Sequence, residues 1–306
     1  MQFVKGQGPT VLGCLIILSG MLGCSIMTPR MDLATLTMAA EIERRGDQLF
    51  QQGNYSAAAV RFEEAAGLIT TDHIVRRKLA DTYWEKSHYQ AAIVSMQGAI
   101  DLVDAELDSE LRQQWLVRLG EMHSDLGNVP SALAAVNQVI SENPQLLSAR
   151  ILRATIYERV QSFDQALEDF HYALGLITPE SGAIRSQLEI SVAGIYSKQR
   201  RTNRVLSITS GIDTRALESQ QAIKVHLMRA MALRDRRRHA EAIRELQQLL
   251  ELDGVEPQAH FVLATTYWEQ GDLIRCQQSI NQTLQILPHH PGAIRLQQDI
   301  NRQQQS

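Results

Sequence analysis

The sequence predicts an all-α solenoid of about seven helical hairpins closed by a C-terminal helix, and three observations carry that expectation. A block of 34 residues recurs from Ala39, His73, Gln113, Leu147, Ser186, Ile223 and Pro257. Its eighth place is always Gly or Ala: Gly46, Ala80, Gly120, Ala154, Ala193, Ala230 and Ala264. Twelve residues on stand Ala58, Ala92, Ala132, Ala166, Val205, Ala242 and Cys276, so two helices in each block can approach closely while larger flanking side chains interdigitate. The third observation is turn chemistry between the two helices, with Gly53-Asn54, Gly127-Asn128 and Gly271-Asp272 and with Pro130 in a first helical turn.

Taken in chain order, residues 1–23 read as a leader, in which Lys5 precedes an apolar run from Val11 to Leu22 that ends at Gly23-Cys24. Residues 24–38, with Pro29 and Arg30, form a short tether. The blocks then occupy 39–72, 73–106, 113–146, 147–180, 186–219, 223–256 and 257–290, with Pro144, Pro179 and Pro288 closing three of them. Place eleven (Leu49, Tyr83, His123, Tyr157, Tyr196, Leu233, Tyr267) and place twenty-four (Phe62, Met96, Val136, Phe170, Thr209, Leu246, Ile280) supply packing. The fifth block is the weakest, with Thr202, Val205 and Thr209 where bulkier or smaller residues are expected. Residues 107–112, 181–185 and 220–222 fall between blocks and predict bends in the stack. Residues 291–306, with Ile294, Leu296 and Ile300 among Gln and Arg, read as a solubilising end cap.

In period and in these small and turn residues the array resembles the tetratricopeptide repeat family, over nearly everything from residue 39 onward. The resemblance implies a right-handed superhelical solenoid that binds protein segments in a concave groove lined by the first helix of each hairpin. The leader resembles a bacterial lipoprotein signal, with Met21-Leu22-Gly23-Cys24 in place of the usual lipobox. That likeness implies cleavage before Cys24, acylation of its thiol and an array held at a membrane in the cell envelope. The alternative is an uncleaved anchor, since Val11 to Met27 gives 17 mostly apolar residues, at the short edge of what spans a bilayer. Cys14 is leader filling, and Cys276, at a packing place, predicts a buried free thiol with no disulfide partner.

At the groove places the N-terminal half is charged, with Arg44, Asp47, Arg77, Lys78, Asp81, Glu85, Arg118 and Glu121 beside Trp84. The C-terminal half is apolar, with Ile151, Leu152, Ile190, Leu227, Met228, Met231, Phe261, Val262 and Trp268, which fits a partner helix unless curvature or the end cap covers it. Met and Trp are the residue types best suited to binding there. Some chaperone-binding members of the family clamp an acidic peptide terminus, but Glu43, Asp81 and Leu152 stand where basic or amide residues are needed. A second surface is a basic rim at the turns of the fifth and sixth blocks: Lys198, Arg200, Arg201 and Arg204 beside Arg234, Arg236, Arg237 and Arg238, with His239. It reads either as a solvated turn or as a site for acidic headgroups, cell-wall polymer or an acidic protein loop.

No metal, cofactor or nucleophile motif is present, so the expectation is a non-enzymatic chain with no cofactor. His226 and His260 sit at packing places, and His289-His290 offers too few ligands for a closed metal site. A formal charge of −4, made one unit more negative by loss of a leader whose only charged residue is Lys5, argues against nucleic acid. The expected function is a membrane-anchored scaffold for assembling a bacterial envelope complex of the pilus-secretin or cell-envelope type. The alternatives are an inner-membrane-anchored cytoplasmic regulator and a non-catalytic accessory subunit recruiting a cell-wall enzyme.

Overall fold

A computed structural model describes residues 32–178 and 181–305, and every regular element among them is helical. The leader, Cys24 and Pro179 lie outside the described residues. Two compact units divide the chain at Thr70.

The first unit holds one hairpin, α1 (Leu33–Gln51) and α2 (Tyr55–Leu68). Helix α1 starts six residues before the first block, because Asp32 accepts a hydrogen bond from the Thr35 amide at 2.8 Å and caps it. The end of the expected tether is therefore helix. Gly46 lies over the Phe62 ring so closely that a Cβ would stand 2.6 Å from it, which is why this crossing requires glycine. Gly53 turns the chain at φ 74°, and Asn54 then caps α2 through the Ala57 amide.

The second unit continues with α3 (His73–Glu85), α4 (Tyr89–Leu102), α5 (Ser109–Asp125), α6 (Val129–Glu142), α7 (Leu147–Arg159) and α8 (Phe163–Leu176). After these come α9 (Gly182–Lys198), α10 (Thr202–Thr209), α11 (Ser219–Asp235), α12 (His239–Leu252), α13 (Pro257–Gln270), α14 (Leu273–Ile286) and α15 (Pro291–Gln305). Within this unit each odd-numbered helix from α3 to α13 packs on its own partner, and each even one from α4 to α14 on the helix that follows. First helices also meet directly at α5–α7, α9–α11, α11–α13 and α13–α15, so they share one face. Polar ties reinforce it: Lys198 reaches Glu158 at 2.7 Å, and Arg234 donates to the Thr265 hydroxyl at 2.9 Å.

The small residues sit where the pattern requires. At place eight all seven are buried, and at place twenty none is more than 1% exposed. Place twenty-four is equally dry. Each large side chain buried there contributes roughly 1.5–3 kcal/mol, which outweighs the weak intrinsic helicity of segments this short. Most of the residues expected between blocks are helical: 109–112, 182–185 and 220–222 fall in the first turns of α5, α9 and α11. The sequence pattern missed them because those turns precede the first small-residue contact.

The fifth hairpin departs most. Helix α10 has 8 residues where the other second helices of this unit have 14, and Ser210-Gly211 ends it. A 3-10 turn at Thr214–Ala216 follows. Arg229 on α11 replaces the missing turns by donating to the Thr209 carbonyl and, at 2.9 Å, to the Ile212 carbonyl. Glu245 orients it from 3.8 Å and also holds His226 Nδ1 at 2.7 Å.

All seven hairpin turns place one residue in the left-handed region: Gly53, Ser87, Gly127, Gln161, Arg200, Arg237 and Gly271. The three glycines are each followed by an Asn or Asp that caps the second helix. Hairpins five and six have Arg-Arg instead, Arg200-Arg201 and Arg237-Arg238, with no side-chain cap.

Candidate functional site

The first-helix face of the second unit carries two clusters from the predicted groove. On α3 and α5, Asp81 is gripped by Arg77 at 2.6 Å and lies 3.7 Å from Arg118. Arg118 in turn reaches Glu121 at 3.2 Å and stacks over the Trp84 ring at 5.7 Å. The pKa of Asp81 is raised above the usual carboxylate value, because burial outweighs the two guanidinium groups and Glu85 adds repulsion. A shallow cavity of about 480 Å³ opens beside Arg77, Asp81 and Arg118, walled by Ile74, Leu111 and Trp115. Lys78 is half-buried on the same helix. In the first unit, Arg44 is paired with Glu41 at 2.8 Å.

The apolar half is more enclosed than the sequence implies. Val262 is 1% exposed and Ile190 7%, so both belong to the core and neither lines a groove. Phe261 is covered by the end cap: its ring lies 4.5 Å from that of His290 and fills the space over Gly292. Trp268 packs half-buried against the cluster of Ala264, Cys276 and Ile280. Leu227 and Met231 rest half-buried on the core of α11 to α13, and Met228 on the clusters that α9 and α10 build in the preceding hairpin. Leu152 leans on Gly120 and Ile151 on the α7–α8 core, each with part of its surface open.

The basic rim separates into occupied and open cations. Lys198 is bound to Glu158, Arg238 to Glu241 at 2.7 Å, and Arg201 stacks on Tyr196 at 5.8 Å. Arg234 is half-buried, 2.8 Å from Asp235 and 3.7 Å from Glu269. Arg200, Arg204, Arg236 and Arg237 are exposed and take part in no ion pair among the described residues. The structure also shows what the sequence did not: a cavity of about 760 Å³ between the ends of α9, α11 and α13, bordered by Arg200, Arg234, Arg237 and Glu269. Val205, Met231 and Ala232 form its apolar part. The signal that could have found it was place fifteen, where glycine recurs in three blocks and arginine in two adjacent ones.

The remaining chemistry-bearing residues are structural. Cys276 is fully buried as a free thiol, and burial with the nearby Asp272 charge pushes its pKa up to about 11. His260 Nε2 lies 3.2 Å from the Gly254 carbonyl, and His290 Nδ1 accepts from the Ala293 amide at 3.1 Å, capping α15. Among the described residues no three His, Cys, Asp or Glu side chains converge on a point, and no helix is long and apolar enough to cross a membrane.

Residues 227–273 match the family model for the tetratricopeptide repeat. Over 111 residues the chain is 32% identical to the Hsp70-Hsp90 organizing protein of Triticum aestivum, a stretch covering 35% of this chain and 17% of the length of that curated relative. Among solved structures, the C-terminal part of a TPR repeat-containing protein from Cytophaga hutchinsonii is similar with a TM-score of 0.65 at 15% identity, covering 83% of this chain and 98% of that one. YrrB, a TPR protein with an unusual peptide-binding site, is similar with a TM-score of 0.52 at 15% identity, over 60% of this chain and 91% of its own. At such identity the structures speak for the fold alone: an all-helical chain resembling solved tetratricopeptide repeat solenoids, within which residues 227–273 match the repeat itself.

Proposed function

We propose that the chain is a membrane-anchored scaffold that holds a segment of a partner protein on its first-helix face during assembly of a bacterial envelope complex. Proteins with these repeats bind protein partners, peptides in a groove among them. The observation that carries the reading here is the partly open apolar surface of Leu152, Leu227, Met228 and Met231 on first helices, beside arginine clusters that leave several cations unpaired. Flexible Met side chains on a helical face suit an apolar partner helix. The anchor rests on Lys5, the apolar run and Gly23-Cys24 in the leader. Acyl chains would secure it, since each buried methylene adds about 0.8 kcal/mol.

The likeness to a chaperone-organizing protein raises an adaptor reading. Against it, Glu43, Asp81 and Leu152 occupy the places where a carboxylate clamp needs basic or amide groups, and Asp81 is already held between two arginines.

Two measurements test the proposal. Cells fed an alkyne-labelled fatty acid should label the wild-type protein and not Cys24→Ala, which should leave the membrane fraction. Continued attachment of Cys24→Ala would favour the uncleaved anchor and the regulator reading. Photo-cross-linking from Met228 should give one dominant adduct to an envelope protein. A wall hydrolase or synthase in that adduct would support the accessory-subunit reading, and no adduct at Met228 or Leu152 would mean the apolar face is internal packing.

A further inference from the structure

We infer that the cavity at the ends of α9, α11 and α13 receives an acidic segment of a partner protein, its carboxylates on Arg200 and Arg237 and an apolar side chain against Met231. The inference rests on the scaffold reading and deepens it by naming the partner's chemistry and the place where it docks.

The argument starts from the backbone. Arg200 at φ 56° and Arg237 at φ 59° occupy the left-handed region that glycine fills in three other hairpins at no steric cost. The residue after each is again arginine, where those hairpins have a capping Asn or Asp. Four hairpins lack both features, since Ser87-His88 and Gln161-Ser162 also combine a left-handed residue with no side-chain cap. What sets hairpins five and six apart is that the left-handed residue is an exposed arginine in each, and that the two arginines border one cavity.

Its electrostatics select the ligand. The Glu269 carboxylate is 3.7 Å from Arg234 Nε and 3.8 Å from His239 Nδ1, too far for hydrogen bonds, and both nitrogens are buried without a partner. Asp235 lines the cavity too, 2.8 Å from Arg234, so the four cations of the lining, Lys198, Arg200, Arg234 and Arg237, outnumber its two carboxylates. Arg200 and Arg237 have no counter-charge, and each guanidinium can take a carboxylate in a two-pronged pair. The lining is mostly polar, and its small apolar part is Met231 over the nearly buried Val205 and Ala232. A volume of about 760 Å³ holds a few residues of extended chain. A flat anionic membrane could touch Arg204 and Arg236, but it would not fill a recess whose innermost cation, Arg234, is half-buried.

The test uses the full-length protein and fluorescein-labelled peptides of about ten residues at roughly 50 mM salt, where charge attraction is weakly screened. An alternating Glu-Leu peptide should bind, and the matching Gln-Leu peptide should not. Replacing both arginines with the residue found at this place elsewhere, Arg200→Gly with Arg237→Gly, should weaken binding roughly ten-fold or more without lowering the melting temperature. Equal binding of both peptides, or full binding by the double variant, would overturn the inference. So would binding confined to vesicles containing phosphatidylglycerol. A Met228 adduct that persists in the double variant keeps the scaffold reading independent of this result; Glu-Leu binding without any Met228 or Leu152 adduct would sink the apolar-face reading and leave the acidic pocket standing.

Discussion

Arg200 and Arg237 hold a backbone conformation that glycine adopts more easily, and this has a measurable cost. Arg237→Gly removes the steric penalty of the left-handed region but adds freedom to the unfolded chain, so the net expectation is a gain of about 0.5–1 kcal/mol in urea unfolding. A loss of stability would mean that the arginine side chain supports the fold and is not held in reserve for a ligand. Cys276 makes the opposite kind of statement, since it is a reactive residue type made inert. With a folded-state pKa raised from an ordinary 9.0 to about 11, the thiol keeps its proton longer in the folded protein than in the unfolded chain. Its contribution to stability is complete below about pH 9 and is lost as pH rises through 11. Across that window the wild type should lose about 1–2 kcal/mol more than Cys276→Ala, which carries the residue most other repeats have there. Parallel pH curves for the two proteins would show that burial does not hold the proton on. In the native state the thiol should also resist maleimide until the array opens.

At the level of elements, α10 shows how a weak repeat is kept in line. After its 8 residues the chain turns away, and Arg229, reaching across from α11, donates to the last helical carbonyl, Thr209, and to that of Ile212 just beyond it. Arg229→Ala removes the side-chain donor from both carbonyls and leaves Glu245 to His226 alone, and should cost about 1.5–3 kcal/mol. Hydrogen exchange should then accelerate first at α10 and the first turns of α11; a change spread evenly over the unit would show that the contact is not local. The sequence marked this repeat through Thr202, Val205 and Thr209, yet it could not show that the second helix stops early or that an arginine from the next hairpin mends the gap. That contact joins residues 20 positions apart on separate helices. Periodicity reports what each block shares, so the small places, the packing places and the glycine turns were legible from Gly46 to Cys276. It is silent where blocks differ. The helical first turns before Gln113, Ser186 and Ile223 fall outside the repeating blocks for that reason. Val262 and Ile190 were placed in a groove because their register matches it, while neighbouring helices in fact enclose them. The basic rim was legible as a set of residues, whereas the cavity it borders required three helix ends to be brought together.

At the scale of the whole molecule, a stack whose hairpins touch mainly their neighbours has no shared core, and its last hairpin depends on what covers it. Helix α15 performs that role by setting Ala293, Leu296 and Ile300 against Ala264, Cys276 and Ile280, with Phe261 and Trp268 beside them. Ending the chain after His290 would expose this apolar surface and remove roughly 3–6 kcal/mol of burial from Leu296 and Ile300 alone. Because neighbour contacts carry the stability, the loss should fall on α13 and α14: their amides should exchange fast while those of α5 to α8 keep their protection. The double variant Leu296→Ala with Ile300→Ala keeps the chain length and should give the same gradient at smaller amplitude. Uniform deprotection from α3 to α14 would instead show that the unit unfolds as one block, and the cavity at α9, α11 and α13 would then share the stability of distant hairpins. With a graded loss, that cavity lies next to the least protected end, and a ligand bound there should slow exchange in α13 before it affects α5.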